Sequence, residues 1–184
     1  DINAAANVVL AQAFLPAMIS NNHGHFMTVA SSASYFSLPN LCAYSMSKTA
    51  ALAFLESLRA ELRAVYKACR VRTSVVTPTK VRTVLAEGLN EGDDDFLMPV
   101  LEPIQVARAM ADTLNSGLSR NISLPLGSAL LPYLRALPEW YRGALRAMGN
   151  TDALVTPDSI SRGQQALRGH QSNLDHMKKL GVHS

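Results

Sequence analysis

The pattern of hydrophobic and polar residues predicts an alternation of helices and strands. Apolar residues recur at three- and four-residue spacings from Ile2 to Ile19, which indicates a largely buried helix. The segments from His25 to Ala30 and from Val71 to Val76 have the composition of short buried strands. Between them the spacing predicts a long helix from Cys42 to Lys67. Its predicted apolar stripe is Leu52, Leu55, Leu58, Leu62 and Val65, with Glu56, Arg59, Glu61 and Arg63 facing away.

The order of elements continues in the same way beyond a polar loop from Gly88 to Asp95. A helix is expected from Pro103 to Leu114, and a short strand from Asn121 to Leu124. Strands that alternate with helices are typical of a parallel sheet covered on both faces. The sequence therefore predicts an α/β fold that contains the later strands and helices of a doubly wound parallel sheet.

The character of the sequence changes after Pro125, which divides the chain into a sheet domain (1–125), an amphipathic helical extension (126–150) and a polar, loosely ordered tail (151–184). The segment from Leu126 to Met148 mixes leucines, Tyr133, Trp140 and Tyr141 with arginines. Such a segment suits a membrane surface or the cover of a substrate cleft. It equally suits an ordinary packing pair of helices broken at Pro138, and both interpretations remain open.

Composition narrows the function classes. The 184 residues carry a formal net charge of +3 without a dense basic block, so no nucleic-acid partner is expected. The two cysteines lack paired spacing and the histidines lack a ligand motif, so neither a disulfide scaffold nor a metal site is predicted. A reducing, intracellular compartment is the expectation, either the cytoplasm or a membrane surface such as the endoplasmic reticulum or a lipid droplet. The opening Asp1-Ile2-Asn3 leads directly into a helix, as if the sequence began inside a domain.

Tyr44 and Lys48 are the strongest candidates for chemistry. They are four positions apart on a predicted helix and therefore lie on one face, where the ammonium favours the phenolate form of the tyrosine. Ser31 follows the strand that ends at Ala30, at the edge of the sheet where α/β proteins collect reactive groups. A Tyr-x-x-x-Lys pair alone is weak evidence, because it is common by chance on exposed helices.

Taken together, the motifs resemble those of the classical short-chain dehydrogenases/reductases. The stretch from Gly24 to Ser34, followed by Tyr44-Ser45-Met46-Ser47-Lys48, resembles the catalytic segment of that family. Asn3 falls at the position of the family's catalytic asparagine. Pro78-Thr79-Lys80-Val81-Arg82-Thr83 resembles the Pro-Gly-x-x-x-Thr segment that touches the nicotinamide. The end of the chain is similar, less specifically, to the retinol and 17-beta-hydroxysteroid dehydrogenase branch.

The resemblance implies a partial Rossmann-type domain and an NAD(P)-dependent oxidoreductase that interconverts a carbonyl and an alcohol on a lipophilic substrate. The implied catalytic residues are Asn3, Ser31, Tyr44 and Lys48. The implied cofactor-binding residues are Tyr44, Lys48, Pro78, Val81 and Thr83. Ser32 and Ser34 are rivals to Ser31, which the family's serine-to-tyrosine distance favours.

Two departures from the family pattern qualify this expectation. Thr79 stands where the family has glycine, and a threonine would be strained if the turn required a positive φ. No Gly-x-x-x-Gly-x-Gly turn occurs in the 184 residues, so no amide cradle for the pyrophosphate is predicted, and the choice between NADP and NAD is not encoded. The alternative is therefore a truncated, inactive relative that acts as a dimerisation or membrane-surface module. The resemblance implies that the long helix bearing Tyr44 would form the homodimer contact.

Overall fold

The computed structural model describes residues 3–86, 99–148 and 155–179. Its helices are α1 (Ala5–Ser20), α2 (Cys42–Ala64), α3 (Pro103–Ser116), α4 (Leu131–Leu134), α5 (Glu139–Met148) and α6 (Pro157–Lys179). Its strands are β1 (Gly24–Val29), β2 (Val71–Pro78) and β3 (Asn121–Leu124). Short 3₁₀ turns occupy Ser32–Ser34, Val84–Ala86 and Leu126–Leu130. The polar loop expected from Gly88 to Asp95 falls among residues 87–98, which lie outside the described residues.

The three strands form a parallel sheet in the order β1-β2-β3. Gly24 pairs with Val71 and Val29 with Val76, while Val75 pairs with Asn121 at the start of β3. Each parallel connection passes through a helix, α2 between β1 and β2 and α3 between β2 and β3. The predicted α/β fold, with the later part of a doubly wound sheet, is confirmed.

Apolar side chains cover both faces of the sheet. On one face, Ala11 and Leu15 of α1 pack with Phe26 and Val75 and with the leucine stripe of α2. On the other face, Val76 packs with Leu101 and with Val106 of α3. β2 is central and buried along nearly its whole length, which explains why valine and threonine make up most of the strand.

The turn between α1 and β1 requires a glycine. Gly24 has a φ of 151°, and a Cβ built on it would lie 2.5 Å from Cγ of Met18. A side chain at this position would therefore be strained by the positive φ and would clash with the Met18 side chain.

The structure corrects the prediction that α1 is largely buried. Only Ala11 and Leu15 are fully buried, whereas Val9, Leu10 and Phe14 are about half exposed or more. Within the described residues β1 pairs with β2 alone, and Val29 at its end is 41% exposed. The apolar sequence of α1 thus covers more than one side of the helix, and this chain buries only one of them.

The long helix also differs from its prediction at two positions. It ends at Ala64 instead of Lys67, so Val65 lies beyond the buried stripe and is exposed. Arg59 does not face away: Nε donates to Oγ1 of Thr73 at 2.9 Å, and Nη2 donates to Oδ1 of Asn121 at 2.9 Å. Its guanidinium reaches across the amino-terminal ends of β2 and β3, because the alkyl stem of arginine can follow an apolar surface to a polar end.

The tail expected to be loosely ordered contains helix α6. Thr156 and Ser159 cap its start reciprocally: the Ser159 hydroxyl accepts from the Thr156 amide at 2.9 Å, and the Thr156 hydroxyl accepts from the Ser159 amide at 3.2 Å. Pro157 occupies the first helical position, where its fixed φ suits a helix. The helix packs against the turn Val84–Ala86. The polar composition of residues 151–184 led to the prediction of a loosely ordered tail, although Thr156, Pro157 and Ser159 are typical of a helix start.

The extension after β3 is helical, with a break at Pro138 between α4 and α5, as predicted. Its apolar residues are only partly used for packing: Leu131 is buried, whereas Leu126, Leu130, Tyr133 and Trp140 are each more than two-thirds exposed. Among the described helices, none is both long and apolar enough to cross a bilayer.

Candidate active site

Tyr44 and Lys48 lie in the first turns of α2 and share a face, as their spacing predicts. The Lys48 ammonium lies 5.9 Å from the centroid of the Tyr44 ring. Nζ also donates a 3.0 Å hydrogen bond to the carbonyl of Val29, the last residue of β1. Burial lowers the pKa of Lys48 from its ordinary value. The lysine is therefore a half-buried cation held between the tyrosine and the carboxyl end of the edge strand.

Ser31 lies two residues beyond the carbonyl that Lys48 holds. It is buried, has extended backbone angles and caps the short turn Ser32–Ser34, where its Oγ accepts from the Ala33 amide at 3.2 Å. Its own hydroxyl proton remains available as a donor. Ser34, one of the two rivals, has a buried hydroxyl without a hydrogen-bond partner among the described residues.

Asn3 contacts the same turn of α2, although it precedes α1 instead of lying inside it. Its Nδ2 donates to Oγ of Ser47 at 3.2 Å, and that hydroxyl donates to the carbonyl of Tyr44 at 2.7 Å. The geometry therefore joins Asn3 to Tyr44 through Ser47. No sequence motif had singled out Ser47.

Asn7 and Thr28 extend this network toward the sheet. Nδ2 of Asn7 donates to the carbonyl of Asn3 at 2.9 Å, and Oδ1 accepts from the hydroxyl of Thr28 at 3.2 Å. Thr28 is almost completely buried in β1. A hydrogen-bonded chain thus runs from β1 through the start of α1 to the first turn of α2. The sequence reasoning missed Asn7, and the available signal was a second amide side chain four residues after Asn3, in a mostly apolar helix.

The segment after β2 carries the other predicted cofactor-binding residues. Pro78 ends β2, and Val81 forms an isolated parallel bridge with Leu101. The Thr83 hydroxyl donates to the Val81 carbonyl at 3.4 Å. These contacts describe Val81 and Thr83 within their own loop, separately from the cluster around Tyr44.

The strain expected at Thr79 is absent. The described non-glycine residues with positive φ are Asn22, Asn40 and Lys67, so Thr79 adopts an ordinary backbone conformation. Its amide donates to the carbonyl of Leu124 at 2.9 Å, and its hydroxyl is buried without a hydrogen-bond partner among the described residues. The carboxyl end of the central strand therefore presents an unsatisfied polar group.

Comparison with known proteins identifies the family. The model of the short chain dehydrogenase family matches residues 1–94, which is just over half of the chain. The chain belongs to the short-chain dehydrogenase family. The match includes Asn3, Ser31, Tyr44 and Lys48, and it extends past β2.

Individual relatives agree with this assignment. Estradiol 17-beta-dehydrogenase 11 from Pongo abelii is 38% identical over 148 residues, which cover 79% of this chain and 47% of that protein. Epidermal retinol dehydrogenase 2 from Mus musculus is 38% identical over 114 residues, 62% of this chain and 36% of that protein. The chain thus spans about half the length of the first of these relatives and less of the second.

Solved structures of the family have the same fold. A short chain dehydrogenase from Burkholderia cenocepacia J2315, determined in complex with NADP, superposes with a TM-score of 0.59 and 25% identity over 84% of this chain and 58% of that one. The superposition extends well beyond the family-model match, so much of the carboxyl-terminal half also follows the family's architecture.

Proposed function

We propose that this chain provides the catalytic half of an NAD(P)-dependent oxidoreductase that interconverts a carbonyl and an alcohol. The observation that carries the proposal is the half-buried Lys48 ammonium, held 3.0 Å from the Val29 carbonyl and 5.9 Å from the Tyr44 ring. In the proposal, this ammonium stabilises the negative charge that forms on Tyr44 when the tyrosine gives its proton to the substrate. Membership of the short-chain dehydrogenase family supports the same reaction class.

Each of the four residues has a distinct role in this proposal. In the reducing direction Tyr44 donates its phenolic proton to the substrate oxygen, and in the oxidising direction it accepts that proton. The Lys48 ammonium stabilises the phenolate that remains, and the Ser31 hydroxyl donates a hydrogen bond to the substrate oxygen. Asn3 fixes the first turn of α2 through Ser47.

The residues present fit the nicotinamide end of a dinucleotide. NADP or NAD, when bound, supplies or accepts the hydride. Lys48 would hold its ribose together with Tyr44, and Pro78, Val81 and Thr83 would line the nicotinamide. The buried, unpartnered hydroxyl of Thr79 is a polar group that a carboxamide would satisfy. The 184 residues contain no glycine-rich turn to cradle the pyrophosphate, so the proposal assigns them only this end of the cofactor.

A lipophilic substrate is part of the proposal. The named relatives are an estradiol and a retinol dehydrogenase. The exposed Leu126, Leu130, Tyr133 and Trp140 give the carboxyl-terminal segment an apolar surface. Such a surface suits peripheral contact with a membrane, such as that of the endoplasmic reticulum or a lipid droplet, from which an apolar substrate would be drawn.

A second candidate function is self-association without catalysis, as a truncated and inactive relative. A groove between α1 and α2 favours it, because Val8, Leu15, Phe54 and Tyr66 line it with apolar surface. Val9 and Phe14, also in α1, are further apolar side chains that are more than half exposed. A second copy of the chain would bury these residues in a homodimer.

Tyr44→Phe, made in the protein expressed from the complete coding sequence, separates the two functions. The measurement is NADPH- or NADH-coupled reduction of a panel of lipophilic aldehydes and ketones. We expect a loss of about 100-fold or more in kcat, because the variant lacks the acid/base proton. Tyr66→Phe, which removes the same atom from a half-exposed side chain beyond the end of α2, is the matched control. Wild-type turnover that survives Tyr44→Phe would overturn the role of Tyr44, and a wild type without turnover that forms a stable dimer would favour the second function.

Flotation with neutral phosphatidylcholine liposomes tests the membrane contact. The wild-type chain should float, and a variant with serine at Leu126, Leu130 and Trp140 should remain at the bottom of the gradient. Val65→Ser combined with Leu118→Ser, at exposed positions elsewhere on the surface, is the control and should float like the wild type. Equal flotation of all three proteins would contradict this assignment.

A further inference from the structure

The loop between β1 and α2 begins at Ser31 and leads to the helix that carries Tyr44. Its first turn is formed by backbone hydrogen bonds between residues three positions apart. The amide of Ser34 donates to the carbonyl of Ser31 at 2.9 Å, and the amide of Tyr35 donates to the carbonyl of Ser32 at 2.9 Å. Bonds of this kind form a single turn, which is marginal by itself. The position of the Ser31 hydroxyl therefore depends on what else holds this turn.

The carboxyl-terminal segment contacts the loop at three successive places. Nη1 of Arg135, just after α4, donates to the carbonyl of Ser34 at 3.1 Å. Nε of Arg146, in α5, donates to the carbonyl of Ser37 at 3.3 Å. Nδ2 of Asn40 donates to the carbonyl of Val155 at 2.7 Å. Residues that are about a hundred positions away in sequence thus span the loop from one end to the other.

Other groups contact the two arginines or share their hydrogen-bond partners. The guanidinium of Arg146 lies over the ring of Phe36, 5.1 Å from its centroid, and Nη1 pairs with Oε1 of Glu139 at 2.9 Å. The carbonyl that Arg135 holds also accepts from Oγ1 of Thr49 in α2 at 3.2 Å. Arg135 and Thr49 therefore both donate to the carbonyl oxygen of Ser34, in the turn that follows Ser31. Thr49 lies in α2, five residues beyond Tyr44.

We propose that Arg135 and Arg146 are positioning residues, which act through the loop to hold the Ser31 hydroxyl against the substrate oxygen. The inference rests on the proposed oxidoreductase function for its catalytic consequence, but the clamp itself is a property of the chain. At Arg146 a planar guanidinium suits this work, because it can hold the Ser37 carbonyl and stack on the Phe36 ring at the same time. The carboxyl-terminal segment, which lies beyond the family-model match, is then part of the site's construction.

Hydrogen exchange of backbone amides tests the clamp without any need for turnover. In the Arg135→Ala/Arg146→Ala variant, we expect the amides of Ser34 and Tyr35 to exchange about tenfold faster or more, because the turn opens locally. Amides in the middle of α2 should exchange at the wild-type rate. Arg108→Ala, which removes an exposed arginine from α3, is the matched control and should change neither. Unchanged exchange of Ser34 and Tyr35 in the double variant would overturn the proposal.

Kinetics in the protein expressed from the complete coding sequence then test whether the arginines act through Ser31. Arg135→Ala should lower kcat by about 10-fold or more while KM for the cofactor changes little, and Arg135→Lys should recover most of the loss. In a Ser31→Ala background, Arg135→Ala should have almost no further effect, because the group that it positions is gone. Losses that multiply independently would instead assign Arg135 a role separate from Ser31 and overturn the proposal.

The two measurements separate failure of this inference from failure of the proposed function. A wild-type protein without turnover whose loop amides respond to the arginine substitutions would keep the clamp and reject the oxidoreductase. A wild-type protein with turnover whose loop amides do not respond would keep the oxidoreductase and reject the clamp.

Discussion

Helices α1 and α2 cover the same face of the sheet and both position residues of the candidate site, but they bury very different shares of their apolar surface. α2 has one continuous buried stripe, with Leu55 and Leu62 almost wholly inaccessible, and its one arginine directed at the sheet, Arg59, is hydrogen-bonded to Thr73 and Asn121. α1 buries Ala11 and Leu15 and leaves Val9, Leu10 and Phe14 about half exposed or more. α2 is thus amphipathic and complete within this chain, whereas α1 has apolar surface for a second contact.

The same contrast holds for the chemistry at their first turns. α2 carries Tyr44 and Lys48, whose spacing alone brings them together. At the start of α1, Asn3 and Asn7 belong to the site only through hydrogen bonds to other elements, to Ser47 of α2 and Thr28 of β1. One helix therefore supplies reactive groups, and the other supplies the polar connections that hold them.

Leucine-to-alanine substitutions at matched positions give the largest expected effect. Leu55→Ala should lower the free energy of unfolding by about 2–5 kcal/mol, because it leaves a cavity in a packed core. Leu10→Ala should lower it by less than about 1 kcal/mol, because the side chain is 49% exposed. Urea unfolding followed by circular dichroism measures both. Equal losses at the two positions would mean that α1 is covered in solution, and a dependence of the Leu10→Ala loss on protein concentration would identify the cover as a second copy.

Much of this architecture follows from local sequence. The leucine stripe of α2, the β-branched run of β2 and the Tyr44–Lys48 pair all depend on periodicity within one element, which a sequence displays directly. The residues that the family resemblance implied, Ser31 and Asn3, were then placed at the end of β1 and beside α2. Their catalytic roles remain predictions.

The remaining features depend on partners that are far apart in the chain. Arg59 was expected to face solvent because it lies off the leucine stripe, yet its partners Thr73 and Asn121 are supplied by two strands. Arg135 likewise finds the carbonyl of Ser34 only once the fold has formed. Helix α6 is a different case, since the Thr156-Pro157 start signal was present and the polar composition outweighed it. Pairing between distant residues and capping inside a polar segment therefore account for these differences, and the partial exposure of the apolar helix α1 is a third.

Asn7→Leu tests the connecting role of α1 and should have an intermediate effect. It leaves the buried hydroxyl of Thr28 without its acceptor and frees the carbonyl of Asn3, so we expect a loss of about 1–3 kcal/mol in the free energy of unfolding. Gln12→Leu, at an exposed position of the same helix, is the control and should change stability little. Adding Thr28→Val to Asn7→Leu should recover part of the loss, because neither partner is then unsatisfied. A Thr28→Val addition that deepens the loss would contradict the proposed network.

Lys48→Met tests α2 and should have the smallest effect on stability. The direction in which this effect changes with pH distinguishes a cation that is held at a cost to stability from one that stabilises the fold. Burial lowers the pKa of Lys48 in the folded protein. Below that lowered pKa the lysine is protonated in both the folded and the unfolded chain, so the cost of burying its charge is fully present. As pH rises through the lowered folded pKa toward the unfolded value, the folded chain releases its proton first, and wild-type stability gains relative to the variant. The difference in the free energy of unfolding, wild type minus Lys48→Met, should therefore increase from pH 7 to pH 10. Lys67→Met, at an exposed position beyond the end of α2, is the matched lysine-to-methionine variant against which the Lys48→Met profile is compared. If the difference at Lys48 instead decreased as pH rose, the ammonium would be stabilising the fold, and the view that α2 holds this cation for chemistry would lose its physical basis.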